Sequence, residues 1–222
     1  MHNLAIIVPY RDREEHLNKF IPFMNNFLSN INYEILVIEQ TNGKPFNRAK
    51  LFNVGFDLSK HNNDYFCFHD VDLLPVNEKC DYSFVNGVTK LAYEVSQFNF
   101  NPRPYDELGG VSMIDKESFT KVNGFRNEYW GWGVEDNDFG HRCKLKNIQF
   151  IRREGRYLSL AHTSNGDTNG GIPSEHTLKN RQLFNLLLKN PSLMFNDGID
   201  TLKYEIVKNE KFQNYSKVTV DI

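Results

Sequence analysis

Apolar and polar residues alternate along this chain with two different periods. Leu4 to Val8, LAIIV, is an unbroken apolar run closed by Pro9, the pattern of a strand buried on both faces of a parallel sheet. Leu17, Phe20, Ile21, Met24, Phe27 and Leu28 then recur at helical spacing. Asp12 stands where it can cap this helix, with Glu15 as its capping-box partner. Pro22 lies inside the pattern and is expected to kink or weaken it. Tyr33 to Glu39, YEILVIE, predicts a second buried strand, and Asn42-Gly43 a turn. Ala49 to Lys60 reads as a second helix, and Tyr65 to His69, YFCFH, as a third strand closed by Asp70-Val71-Asp72. Strands alternating with helices predict βαβ units around a largely parallel, twisted sheet, an α/β fold. Ligands of such sheets bind beyond the carboxyl ends of the strands. Pro9-Tyr10-Arg11, Glu39-Gln40 and Asp70-Val71-Asp72 all fall there.

The second half is less regular. Gly109-Gly110 precedes a strand over Val111 to Ile114, and a short helix over Lys116 to Val122 ends near Gly124. Asn127 to Asp138 is rich in glycine, tryptophan and acids; Phe139 to Lys146 reads as helix. Ile148 to Ile151 and Arg156 to Ala161 read as strands. Thr163 to Pro173, TSNGDTNGGIP, is too polar and glycine-rich to pack as core. Ser174 can cap a helix to Lys189 with Leu178, Phe184, Leu187 and Leu188 inward, and Leu202 to Val207 and Lys217 to Ile222 finish the chain as strands. No repeat or linker divides residues 1–222, so one domain is expected.

Composition narrows the classes. Hydrophobic residues make up 40% of the chain, ample for a packed core. A formal net charge of -2 excludes a strongly basic nucleic-acid-binding surface, so no nucleic-acid partner is expected. No apolar run reaches the length of a transmembrane helix. The start has neither the charged segment nor the cleavage site of a signal peptide. Cys67, Cys80 and Cys143 cannot all pair within one chain, and their spacing fits neither a disulfide framework nor a zinc knuckle. The expectation is a soluble or cytoplasmic protein with reduced thiols.

Three groups carry candidate chemistry. Asp70 and Asp72, on either side of Val71 at a strand end, offer hard oxygen ligands for magnesium or manganese, which can neutralise a diphosphate. Solvated acids at a strand end are the plain alternative. Trp130-Gly131-Trp132-Gly133-Val134-Glu135-Asp136-Asn137-Asp138 sets tryptophans beside carboxylates. An indole stacks on the apolar face of a sugar while the acids accept its hydroxyls, and crowded acids raise one another's pKa. One or two of these acids also suit the positive first turn of the helix that follows. Arg11, Arg13 and Arg48 have the fork that matches phosphate oxygens, though surface arginines are commonly just solvated. His162, ending a predicted strand before the glycine-rich loop, can complete a metal site with Asp72 or be plain polar surface.

Taken together these residues form a signature. The chain resembles the β-1,4-galactosyltransferase family of inverting, metal-dependent glycosyltransferases. The matching segments, in order, are Val8-Pro9-Tyr10-Arg11-Asp12-Arg13; Phe46 to Leu51 (FNRAKL) with Asn53-Val54-Gly55-Phe56; Asp70 to Pro75 (DVDLLP); Gly109-Gly110-Val111-Ser112; Asn123-Gly124-Phe125; Tyr129 to Asp138 (YWGWGVEDND); and Asp197-Gly198 through Val220-Asp221-Ile222. His69 to Glu78, HDVDLLPVNE, is similar to the branch that adds galactose to xylose.

The resemblance implies a single GT-A, Rossmann-like nucleotide-sugar-binding domain, with 1–75 as its nucleotide part and 76–222 as its acceptor and lid part. It implies Mn2+ on Asp72 and His162. Pro9, Arg11, Arg13, Phe46, Arg48, Asp70 and Val71 would hold the UDP-sugar, and Trp132 would lie between donor and acceptor. Glu135 and Asp136 would bind sugar hydroxyls, with Asp136 as general base. The segment Thr163 to Pro173 would be the lid. The sequence also departs from the family pattern. Ser159 and Ser164 stand where branches of the family have methionine or a second histidine near the metal. Glu107 replaces an aromatic residue that limits the donor's 2-substituent, leaving galactose and N-acetylgalactosamine both open. Asn137 replaces an acid. The expected activity is inverting transfer of either sugar from a UDP-sugar to a carbohydrate acceptor. The rivals are a weakly active homologue that binds UDP-sugar or glycan, and a metal-dependent nucleotide-sugar phosphohydrolase.

Overall fold

A computed structural model describes residues 2–161, 168–169 and 172–222. The chain runs β1 (Leu4–Tyr10), α1 (Glu14–Phe27), β2 (Tyr33–Gln40), α2 (Arg48–Ser59), β3 (Tyr65–His69), β4 (Leu73–Pro75), β5 (Val88–Lys90), β6 (Ala92–Val95), β7 (Val111–Asp115), α3 (Lys116–Lys121), α4 (Glu135–Leu145), β8 (Gly155–Ser159), β9 (Thr168–Asn169), β10 (Ile172–Pro173), α5 (Glu175–Lys189), β11 (Glu205–Lys211) and β12 (Ser216–Asp221). The main sheet has seven strands in the order β11-β12-β2-β1-β3-β7-β5. Its centre, β12-β2-β1-β3, is parallel, while β7 and β11 pair antiparallel to their neighbours. The α/β expectation of a mostly parallel central sheet therefore holds.

Leu4, Ala5, Ile6, Ile7 and Val8 are wholly buried because both faces of β1 are covered. Leu4, Ile6 and Val8 pack with Leu17, Phe20 and Met24 of α1. Ala5 and Ile7 pack with Leu51, Phe52 and Val54 of α2. Gly55 lets α2 approach the sheet, since a Cβ there would collide with Ile7. β1 lies between β2 and β3, so the connections leave it in opposite directions and open a crevice at the carboxyl ends. A smaller sheet, β4-β8-β6, shares the α1-side core through Leu73, Leu74, Ala92, Val95 and Tyr157. The chain is one domain, and strands from both sides of residue 75 join the main sheet. No described helix is long and apolar enough to cross a membrane.

Several local expectations are corrected. Asp12 does not cap α1: its φ is 53° and Arg13 takes the cap position without a side-chain cap bond, because the chain turns sharply as it leaves β1. Pro22 does not break α1, since it and Asn18 face solvent, where the freed carbonyl meets water. Residues 148–151 are not a strand; only Phe150 bridges to Val88 at the sheet's edge. α4 begins at Glu135, ahead of the expected Phe139, and β11 begins at Glu205 rather than Leu202. In α5, Leu187 faces inward as expected, but Leu178 and Leu188 are 46% and 40% exposed; Thr177 and Asn180 face inward in their place, because a polar contact holds that face. β4, β5 and β6 are too short to leave a period in the sequence.

Candidate active site at the carboxyl ends of the central strands

Arg48, the first residue of α2, joins two of the sequence-predicted groups. Its Nε donates to Asp70 Oδ1 at 2.6 Å, and its Nη1 lies 3.4 Å from Glu135 Oε1. Its guanidinium also rests 4.6 Å from the Phe52 ring centroid. The Asp-x-Asp turn and the start of α4, distant in sequence, thus meet over one cation. Arg48 is held well above its ordinary pKa by Asp70 and Glu135, which outweigh its burial. Burial pushes Asp70 up, with Asp72 adding to the effect and Arg48 opposing it. Burial, and then the neighbouring Asp136 carboxylate, raise Glu135 to about 7. Asp136 Oδ1 accepts the Asn137 N–H at 2.8 Å, and its other oxygen lies against Gly109. The amino end of α4 faces these acids, and its dipole favours their charge.

The Gly-Trp-Gly segment is held from both sides. Gly131 N donates to Phe46 O at 2.8 Å. Asn180 of α5 donates Nδ2 to Trp130 O at 2.9 Å and approaches Trp132 O at 3.3 Å. Gly131 and Gly133 have φ of 74° and 103°, which a residue with a Cβ resists, and Val134 is strained at 69°. This backbone leaves the Trp132 side chain 59% exposed at the rim.

Beneath the segment runs a buried amide network. Asn53 Nδ2 donates to Phe125 O at 2.7 Å and Asn127 Oδ1 at 2.9 Å. Asn47 Nδ2 donates to Asn127 O at 2.7 Å, and Asn127 N donates to Asp197 Oδ2 at 2.6 Å. The network ties α2, residues 125–127 and the Asp197 turn into one unit that fixes the Arg48 and Trp132 frames. Asp138 is not at the site surface: it is fully buried with Arg142, 3.0 Å away, and burial pushes it up to about 6.

Of the remaining expected residues, those described lie near the ends of β1 and β3. Arg11 Nη1 donates to Lys44 O at 2.9 Å, and its guanidinium lies 5.2 Å from the Phe46 ring centroid. Arg13 lines an open cleft of about 550 Å³ with Tyr10, Asp12, Glu39 and Ala161. Pro9 is buried within β1, and Val71 is 7% exposed with its side chain in the core, so each offers the site only backbone. Leu160 N donates to Asp72 O at 2.7 Å, which brings the end of β8 to the Asp-x-Asp turn. His162, the loop residues 163–167, and Ser164 among them, lie outside the described residues. Among the described residues, no three His, Cys, Asp or Glu side chains form a group able to hold a metal ion.

Sequence reading missed the supporting residues. Asn47, Asn53, Asn127 and Asn180 are buried amides, visible in the sequence only as polar residues within apolar stretches. Lys90 is also buried; its Nζ donates to Glu107 O and lies 3.9 Å from Glu107 Oε2. Arg103 Nη2 binds both Glu107 oxygens at 2.8 and 2.9 Å. Glu107 is thus a fixed anion beside Gly109.

Known proteins resemble this chain in sequence and fold. The profile described as the N-terminal region of glycosyl transferase group 7 matches residues 1–84, and that described as the N-terminal domain of galactosyltransferase matches residues 89–163. β-1,4-Galactosyltransferase 1 of Bos taurus is 33% identical over 228 residues, covering 100% of this chain and 54% of its own length. β-1,4-Galactosyltransferase 4 of Homo sapiens is 36% identical, covering 100% of this chain and 64% of its own length. The chain therefore spans about half to two thirds of the curated relatives it matches. The catalytic domain of Drosophila β1,4-galactosyltransferase 7, solved with xylobiose, superposes with a TM-score of 0.72 at 29% identity, covering 100% of this chain and 94% of that one. A variant of that protein was solved with manganese, UDP-Gal and xylobiose. From its sequence motifs, its fold and these matches along its whole length, the chain belongs to the β-1,4-galactosyltransferase family.

Proposed function

We propose that this domain transfers galactose, or N-acetylgalactosamine, from a UDP-sugar to a carbohydrate hydroxyl with inversion. The observation that carries the reading is the Arg48 bridge, which draws Asp70 of the Asp-x-Asp turn and Glu135 of α4 together. A donor diphosphate and a sugar acceptor require these two kinds of group side by side. Residues 1–75 supply the nucleotide side. Arg11, Arg13 and Arg48 match phosphate oxygens, Phe46 packs beside them, and Pro9, Asp70 and Val71 line the same edge. Residues 76–222 supply the acceptor side, with Trp132 between the donor phosphate and the acceptor sugar.

The Asp72 carboxylate and a histidine are a donor set that suits Mn2+. The Leu160 bond to Asp72 supports pairing the Asp-x-Asp turn with the end of β8, which leads to His162. Asp72 and His162 would hold the cation, which when bound neutralises charge on the departing UDP. The chain's own groups do the rest. Glu135 binds sugar hydroxyls. Asp136 takes the acceptor hydroxyl proton as that oxygen attacks the anomeric carbon and the bond to UDP breaks on the opposite face. One displacement converts an α-linked donor to a β-linkage.

The test is UDP release from UDP-Gal and UDP-GalNAc with Mn2+ and a panel of β-glycosides. Xylobiose and β-xylosides belong in that panel because residues 69–78 resemble the xylose-directed branch and a neighbouring structure holds xylobiose. Asp136→Asn should abolish transfer while UDP still binds. Undiminished turnover by that variant would overturn the base assignment.

A further inference from the structure

His69 is fully buried at the end of β3, immediately before the Asp-x-Asp turn, and no step of the reaction uses it. Its Nδ1 lies 2.9 Å from Asp70 O, and its Nε2 lies 2.8 Å from Tyr82 Oη. A carbonyl oxygen can only accept, so Nδ1 carries the proton and donates. Nε2 is then the acceptor, and the Tyr82 hydroxyl must donate to it. Tyr157 Oη in turn donates to Tyr82 Oη at 3.0 Å. The direction of every proton in the chain Tyr157, Tyr82, His69, Asp70 O is thereby set. Burial pushes the imidazole down to about 4, so it stays neutral, as this polarity requires. Phe20 packs against the imidazole edge-on at 5.0 Å and the Tyr82 ring stacks at 6.0 Å.

One end of this relay is the backbone of the Asp-x-Asp turn, and the other lies in β8. At one end, Asp70 O also accepts the Leu73 N–H at 3.2 Å, and Asp70 N donates to Gly110 O at 3.0 Å. The turn that presents Asp72 is therefore pinned at its first residue. At the other end, Tyr157 is in β8, the strand that precedes His162 in the chain, and Leu160 N bonds Asp72 O at 2.7 Å. We propose that His69, Tyr82 and Tyr157 are positioning residues that set the spacing between the Asp72 turn and the end of β8, and so tune affinity for the divalent cation. This inference rests on the reading of Asp72 and His162 as metal ligands.

Free Mn2+ measured by electron paramagnetic resonance, titrated against the whole chain in the presence of UDP, tests it without relying on turnover. Tyr82→Phe keeps the ring and loses only the hydroxyl; His69→Phe loses both bonds. We expect the Mn2+ dissociation constant to rise about tenfold in each, the usual scale for outer-shell partners of metal ligands. His69→Asn, whose amide sits near the Nδ1 position, should recover part of the loss. At saturating Mn2+, kcat should return to within twofold of wild type, which a general loss of structure would not allow. Wild-type binding unchanged in folded Tyr82→Phe and His69→Phe would overturn the relay alone. No Mn2+ binding by the wild type would overturn the metal reading and this inference with it.

Discussion

Gly109→Ala separates the position of Asp136 from the stability of the fold. Gly109 does not adopt positive φ, so its backbone accepts alanine without strain. The new Cβ would overlap Asp136 Oδ2 and lie 3.2 Å from Asp136 Cγ. Carbon and oxygen do not approach so closely, so the carboxylate must move by roughly 1 Å to restore contact distance. A short side chain at a helix start makes that move by leaving its rotamer, at a cost of about 1 kcal/mol. Thermal unfolding should therefore shift by only a few degrees. A displacement of that size at a reacting group costs on the order of 100-fold in rate. The assay is acceptor-dependent UDP release, with UDP binding measured separately by calorimetry. We expect kcat to fall about 100-fold with UDP affinity preserved. Turnover within threefold of wild type in a folded variant would refute the reasoning, because Asp136 would then not need the place it occupies.

Other perturbations test other parts of the account. The pKa of Glu135 is raised to about 7, so its contribution to stability is full below the ordinary carboxylate range and is lost as pH rises towards 7. Glu135→Gln should thus gain in melting temperature relative to wild type between pH 5 and pH 8; a constant difference would contradict the burial of its charge. Asn127→Ala removes its side-chain bonds to Asn53 Nδ2, Asp197 Oδ1 and Gly198 O while keeping its backbone bonds, and should cost about 2 kcal/mol, seen as a lower midpoint in denaturant unfolding. Trp132→Ala should change stability by less than about 0.5 kcal/mol, since the ring is exposed, yet raise the acceptor KM sharply with the donor KM little changed. Asp72→Asn should lose the stimulation of UDP release by Mn2+.

The three central strands were legible in the sequence because burial on both faces makes a continuous apolar run. LAIIV, YEILVIE and YFCFH coincide with β1, β2 and β3 to within a residue or two. The crevice residues Arg48, Asp70, Glu135 and Asp136 could be singled out too, since charged residues gather there at strand and helix ends. What escaped were contacts between distant segments. Nothing near Asn180 in sequence says that it holds the Trp130 carbonyl, so α5 was given an apolar inward face and Leu178 was misplaced. Asp12 followed the capping pattern, yet the turn out of β1 took it to positive φ. Glu107 was legible as standing in place of an aromatic residue, but its pairing with Lys90 of β5 joins segments that the sequence does not connect.

The central claim is that the carboxylates gathered around Arg48 and the start of α4, Asp136 among them, serve a transfer between two sugars. Its most direct test is UDP release from UDP-Gal with Mn2+, measured with and without a β-xyloside acceptor, in wild type and Asp136→Asn. The account predicts release that depends on the acceptor, a β-linked product, and loss of both in the variant. Release at the same rate without acceptor, or unchanged in Asp136→Asn, would contradict it.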